Sequence, residues 1–180
     1  MAQMGRPRVS SQAVLEEAAT ELFLERGYQA TSIDDIASRA GVSRATFFNY
    51  FGGKVDVLLV EIDRALTRFE QALDDTHELR VALDTVAESL TRSDIPLIAQ
   101  QAEIMGATDD VHKALLERFS RLKSIVAKAV ESAVWQWAVA GAIVEGAMEW
   151  AKAHSGSTLA ESLSHALAQL PPEFTQIRAS

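Results

Sequence analysis

Between Gly41 and Lys54 the chain gathers side chains of the types that hold a polyanion and read its bases. Arg44 can bond a guanine edge or a phosphate, Asn49 can read adenine, and the methyl of Ala45 can touch a thymine methyl. Thr46, Tyr50 and Lys54 carry hydrogen-bond donors suited to phosphate. A helix beginning near Thr31 and Ser32 would point free N–H groups at a further phosphate. These groups can act on a duplex only if one helix holds another at a fixed angle to the major groove.

The local sequence supplies that support. Ser32 with Asp35 three residues on makes a capping-box start, and Ile33, Ile36, Ala37 and Ala40 form the face to be buried. Gly41 permits the left-handed backbone of a tight turn, Val42 plugs it, and Ser43 caps a third helix reaching about Tyr50. Phe47 and Phe51, four apart, anchor that helix inward and leave Arg44, Ala45, Phe48 and Asn49 outside. Helix–Gly–helix spacing by itself also fits an ordinary helical hairpin inside a core. An outward Phe48 beside basic residues favours the nucleic-acid reading, because a core hairpin has no need of it.

Upstream, Val14, Leu15, Ala18, Leu22 and Phe23 stripe a first helix over about residues 11–26, stopped by Gly27. Downstream, Gly52 and Gly53 break the chain before a long helix from near Lys54, striped by Leu58, Ile62, Ala65, Phe69 and Leu73. Leu79, Leu83, Val86 and Leu90 mark a fifth helix, and Pro96 opens a sixth. Val111, Leu115, Phe119, Leu122 and Val126 mark a seventh, residues 134–153 an eighth, and Leu159, Leu163, Ala166 and Leu170 a ninth. No stretch alternates as a strand would. The expectation is an all-α chain of about nine helices. Residues 1–9 would be a flexible basic arm, 10–53 a three-helix DNA-binding domain with a helix-turn-helix, and 54–180 a second helical domain, to which the resemblance described below assigns effector binding and dimerisation.

Charge agrees with this division. The formal net charge is −8, but residues 1–56 hold six basic and seven acidic side chains, so most of the acidity lies beyond them. Arg6, Arg8, Arg44 and Lys54 surround the candidate motif, and binding through them would weaken as salt rises. The absence of cysteine excludes disulfides, thiolate metal sites and a cysteine nucleophile. The four histidines show no metal-ligand pair at helical spacing, and no nucleophile elbow, phosphate loop or carboxylate pair is present. No metal, no cofactor and no enzymatic activity are expected. The longest apolar run, Trp137–Val144, is far too short to span a membrane, and Met1–Gln12 lacks a signal-peptide core, so a soluble cytoplasmic protein is expected.

The run from Gly27 to Ala37, continued by Gly41–Phe51 and Lys54, resembles the N-terminal domain of TetR-type transcriptional repressors. The likeness covers about residues 10–60, a third of the chain, with many positions agreeing in order and spacing. It implies an all-helical homodimer, usually of nine helices, whose C-terminal domain commonly binds a small molecule that releases the operator. It carries phosphate contacts to Thr46, Tyr50 and Lys54, and base reading to Arg44, Ala45 and Asn49. The family often has tyrosine at the position of Phe48, so a phosphate bond is missing there and contact with sugar or a thymine methyl takes its place. Gly5-Arg6-Pro7-Arg8 resembles the basic arm that some members lay in the minor groove; a solvated tail is the other reading.

Beyond residue 60 the resemblance implies architecture only. The eighth and ninth helices, near 134–153 and 158–170, would form the dimer interface. Ala138, Ala140, Gly141, Ala142, Gly146 and Ala147 would let helices approach closely, between protomers or within one. Phe69, Met105, Phe119, Trp135, Trp137 and Trp150, with His112 as a polar handle, are either pocket linings for an apolar or aromatic effector or ordinary core. Around residues 132–137 no glycine or proline separates the seventh and eighth helices. A tight turn, one continuous helix and absent residues all fit. The functional expectation is a ligand-responsive repressor binding a near-palindromic operator. The competing readings are a helical interaction protein and a DNA-binding regulator without an effector.

Overall fold

The computed structural model describes residues 11–91, 108–153 and 156–171. Among them are nine helices and no strand: α1 Ser11–Arg26, α2 Ile33–Arg39, α3 Arg44–Phe48, α4 Lys54–Leu58, α5 Val60–Thr76, α6 Leu79–Ser89, α7 Thr108–Val126, α8 Ala133–Lys152 and α9 Leu159–Ala168. The helix expected at Pro96 lies outside the described residues, as do Arg6, Arg8 and Met105. Two compact units form. One holds residues 11–59 with 108–112, the other 60–91 with 113–153 and 156–171.

In the N-terminal unit, α1 buries Leu15, Ala18, Ala19, Leu22 and Phe23. Gly27, at φ +83°, ends it by donating its N–H to the Phe23 carbonyl at 3.0 Å. Tyr28 then folds back, 1% exposed, with its ring 5.3 Å from that of Phe23. The α2 cap is a full box: the Asp35 N–H donates to Ser32 Oγ at 3.1 Å, and the Ser32 N–H donates to Asp35 Oδ2 at 2.9 Å. The Ser32 hydroxyl bond, then the amide, hold the Asp35 carboxyl below its ordinary value of 3.8, with Arg26 adding to the effect. A depressed carboxylate contributes stability above its unfolded pKa, and that contribution disappears as pH falls through the folded value. Ser32→Ala should therefore cost about 0.5–2 kcal/mol of stability. It should also move the Asp35 titration, followed by carboxyl NMR, upward toward 3.8. An unmoved titration would show that the cap is not what holds Asp35.

The single long helix expected from Lys54 is two. Leu59 has φ −107° and ψ 9°, and its N–H bonds the Asp56 carbonyl three residues back rather than the carbonyl four back. Its side chain is 1% exposed, so burial holds the break in place without glycine or proline.

In the C-terminal unit, α5 pairs with α6 and α8 with α9, and α9 also meets α6. Their core includes Leu66, Phe69, Leu73, Leu83, Leu122, Ile125, Val139, Ile143, Trp150 and Leu163. The stripe expected on α7 holds at Val111, Leu122 and Val126, all buried, and departs from expectation at Leu115. Val111, Ala114, Arg118, Leu122 and Ile125 face inward, whereas Leu115 is 37% exposed. Arg118 can occupy an inward position because its Nη2 donates to Asp63 Oδ2 at 2.6 Å. The connection at 127–132 is a tight turn. The Gln136 amide closes it by donating to the carbonyls of Val130 (2.9 Å) and Glu131 (3.2 Å). The close helix approach falls within one chain at Gly146: a Cβ there would lie 2.9 Å from the Ser162 carbonyl oxygen and 3.0 Å from Leu163 Cα.

Candidate nucleic-acid interface

The turn between α2 and α3 is built as its residues require. Gly41 sits at φ +67°, and Val42 donates its N–H to the Ala37 carbonyl at 3.0 Å. Ser43 then caps α3, its Oγ accepting the Thr46 N–H at 3.0 Å. Phe47 is 0% exposed and Phe51 5%, with their ring centroids 5.4 Å apart. An anchor of two rings compensates for the shortness of α3, which ends at Phe48; Asn49 is its C-cap. Arg44, Ala45, Phe48, Asn49 and Tyr50 are exposed, so the structure brings the expected base-reading residues together on one open surface.

Arg44 is not free on that surface. Its Nη1 donates to Asp34 Oδ1 at 2.8 Å, and its guanidinium carbon lies 5.3 Å from the centroid of Phe48. Phe48, in turn, packs edge-on to Phe47. The aromatic that lacks a hydroxyl thus serves as a platform under the arginine. Asp34 went unnoticed in the sequence. An acid ten residues before an arginine gains meaning only once the turn places α2 beside α3.

The phosphate contacts divide. Tyr50 is exposed, and Thr46 is partly exposed with its hydroxyl 2.9 Å from Ser43 Oγ. Thr31 is corrected: it is 2% exposed, its hydroxyl donates to the Gly27 carbonyl at 2.8 Å, and its N–H donates to the Tyr28 carbonyl. It serves the α1–α2 turn. Ser32 is corrected as well. Its amide and hydroxyl are both bonded to Asp35, and the first turn of α2 carries Asp34 and Asp35, whose charge repels phosphate. Lys54 points into the scaffold. Its ammonium donates to the carbonyls of Tyr28 (2.7 Å) and Thr31 (3.0 Å) and lies 4.0 Å from the Tyr28 ring centroid. Burial lowers its pKa, with Asp110 opposing, and two of the ammonium's three N–H donors are used. The Tyr28 hydroxyl donates to Asp110 Oδ2 at 3.0 Å, and burial followed by that bond pushes its pKa up.

Arg39 is the main scaffold residue that sequence reasoning missed. It bridges α2 to α1 by donating to Glu25 at 2.7 and 2.9 Å and to Glu21 at 3.0 Å. The available signal was the spacing of Glu21 and Glu25, which places both on one face of α1.

In the C-terminal unit the candidate effector residues divide between the core and the surface. Phe69 and Trp150 are buried core, and Phe119 and Trp135 pack against that core. Trp137 is 46% exposed, 5.3 Å ring to ring from Phe119, and His112 is exposed and groups with the other unit. Trp137 thus stands at the surface of the C-terminal unit, and His112 lies at the end of the segment that groups with the N-terminal one. Ala140 and Gly146, expected to serve close helix approach, are buried within the chain, while Val134 (68%) and Met148 (44%) on α8 face outward.

Residues 15–60, which contain this turn and its anchor, match the family described as bacterial regulatory proteins, tetR family. The N-terminal unit carries a TetR-type regulatory domain. Over 87 residues the chain is 34% identical to the HTH-type transcriptional activator FasR of Mycolicibacterium smegmatis, covering 46% of this chain and 40% of FasR. Its matches span less than half the length of the first sequence relatives. Two solved structures extend the likeness across the whole fold. Thermus thermophilus FadR, a TetR-family transcriptional repressor in complex with lauroyl-CoA, has a TM-score of 0.53 and 26% identity, covering 87% of this chain and 91% of FadR. SCO7518 of Streptomyces coelicolor A3(2) has a TM-score of 0.60 and 17% identity, covering 93% and 99%, and shares the all-α fold. FasR and FadR are thus an activator and a repressor, regulators rather than enzymes. No helix among the described residues is long and apolar enough to cross a membrane.

Proposed function

We propose that the protein is a ligand-responsive transcriptional regulator that binds a near-palindromic DNA operator as a homodimer and represses until an effector releases it. The observation that carries the DNA half is the open surface of Arg44, Ala45, Asn49 and Tyr50, held by Phe47 and Phe51 inside a TetR-type domain. The proposed division is a head ending near residue 53 and a helical effector and dimerisation domain after it. Outward apolar Val134, Trp137 and Met148 on α8 support a second copy of the chain as its partner. The lauroyl-CoA bound by FadR supports a mainly apolar effector. Such an effector acts only by binding the released state more tightly than the DNA-bound one.

Footprinting of the purified protein on its own promoter tests this. The expected result is protection of two half-sites about one helical turn, roughly 34 Å, apart. Protection of no palindrome would overturn the reading. Arg44→Ala should cost about 1–3 kcal/mol of discrimination at one base pair. Asp34→Asn should lower the ratio of specific to non-specific binding while strengthening non-specific binding, because it releases the arginine and removes a negative charge facing DNA. Competition titrations over a range of salt separate the two effects, and a parallel loss of both kinds of binding would count against an orienting role for Asp34.

A regulator with no small-molecule effector is the second reading. The packing of Phe69 and Trp150 into the core favours it.

A further inference from the structure

Arg68 carries two buried nitrogens, Nε and Nη2, with no hydrogen-bond partner among the described residues. These two N–H groups form one edge of the guanidinium, the edge that grips a carboxylate or phosphate through two parallel bonds. Leaving charged donors buried and unbonded is costly, and Arg68 leaves two of them on one edge. The other arginines described in this unit are matched to acids: Arg64 to Glu61, Arg80 to Asp84, and Arg118 and Arg121 to Asp63. The chain has eight more acidic than basic groups, yet no ion pair engages Arg68 among the described residues.

The surroundings on α5 are equally specific. Positions three and four away on its helix face are Arg64, Ala65, Gln71 and Ala72, so a second cation and two of the smallest side chains a helix interior readily takes lie beside it. Ala72 is part of the apolar core and Ala65 packs against it. Charged donors flanked by alanines that reach the core suit an anion attached to an apolar body.

We propose that the Nε/Nη2 edge of Arg68 is the receptor for the anionic head, a carboxylate or phosphate monoester, of an amphipathic effector. The proposal rests on reading the C-terminal unit as an effector domain, and it names the head group that such an effector must carry.

Thermal unfolding of the full chain tests it with four probes: decanoate, decyl phosphate, decanol and inorganic phosphate. One or both amphipathic anions should raise the Tm, and whichever acts identifies the head. Decanol and inorganic phosphate should have little effect. Arg68→Met should weaken the apparent affinity for the active anion about 10- to 100-fold, the range that hydrogen bonds to a charged group supply. Arg68→Lys, a point charge without the fork, should fall between. Without any probe, Arg68→Met should be at least as stable as the wild type, because it removes an unmatched buried charge. If it does not fold, Arg68→Gln and Arg68→Lys give the same reading. Equal stabilisation by decanol, stabilisation by inorganic phosphate alone, undiminished binding of the anion to the variants, or no effect of any probe would each overturn the proposal. Retention of probe-free wild type and variants on operator DNA at low salt keeps the two ideas apart. Its loss in the wild type sinks the regulator reading, while its persistence alongside anion-blind wild type sinks only the role of Arg68.

Discussion

Phe47→Ala should destabilise the N-terminal unit by about 3–5 kcal/mol, the range for truncating a fully buried aromatic. The residue is 0% exposed, packs on Phe51 at 5.4 Å and meets Phe48 edge-on at 5.5 Å. α3 has only five residues, too few to form a helix from local bonds, so its place depends on the two-ring anchor of which Phe47 is the more deeply buried half. Small units sit near the lower limit of folding stability, where such a loss removes most of the folded population. Hydrogen exchange resolves the outcome by region. Amides of α1 and α3 should lose protection while those of α8 and α9 keep theirs. A cost below about 1 kcal/mol would mean that Phe47 is not the anchor, since even an ordinary core truncation exceeds that.

The second large effect is a pair of opposite signs on one helix. Gly146 and Gly141 both lie in α8, where alanine is favoured over glycine by about 1 kcal/mol on propensity alone. At Gly146 an added Cβ would stand 2.9 Å from the Ser162 carbonyl oxygen and 3.0 and 3.1 Å from the Leu163 Cα and N, all backbone atoms that cannot swing aside. Overpacking of that kind costs about 1–3 kcal/mol, and valine adds more bulk in the same place. Gly146→Ala should thus lose stability despite the better helix former, and Gly146→Val should lose more. At Gly141 nothing lies within 4 Å of the added Cβ, so Gly141→Ala should gain about 0.5–1 kcal/mol in dilute solution. Urea midpoints at two protein concentrations check both. A stabilised Gly146→Ala would contradict the α8–α9 crossing. A Gly141→Ala penalty that grows with concentration would place Gly141 between protomers.

Helices α2 and α3 were legible because their boundaries are chemical. Ser32 with Asp35, Gly41 and Ser43 each do what their type demands, and the paired phenylalanines set the inward face. The partners of polar groups were not legible. A serine at a helix start looks the same whether it meets a phosphate or its own Asp35, and Lys54 looks the same whether it reaches outward or lies on the carbonyls of Tyr28 and Thr31. The break at Leu59 left no trace because a buried leucine holds it, not a glycine or proline. On α7 the apolar count favoured Leu115, since no periodicity rule places an arginine in a core; Arg118 is there because Asp63, on another helix, receives it. Aromatic type likewise cannot separate a cavity wall from packed core, which is why Phe69 and Trp150 were ambiguous.

The placement of the aromatic residues gives the protein a built-in optical partition. Its three tryptophans, Trp135, Trp137 and Trp150, all lie on α8, and its two tyrosines, Tyr28 and Tyr50, both lie in the N-terminal unit. Tryptophan emission therefore watches only the C-terminal unit. With the oligomeric state held constant, a change in that emission when operator DNA is added to unlabelled protein would signal communication between the units, read without an effector in hand.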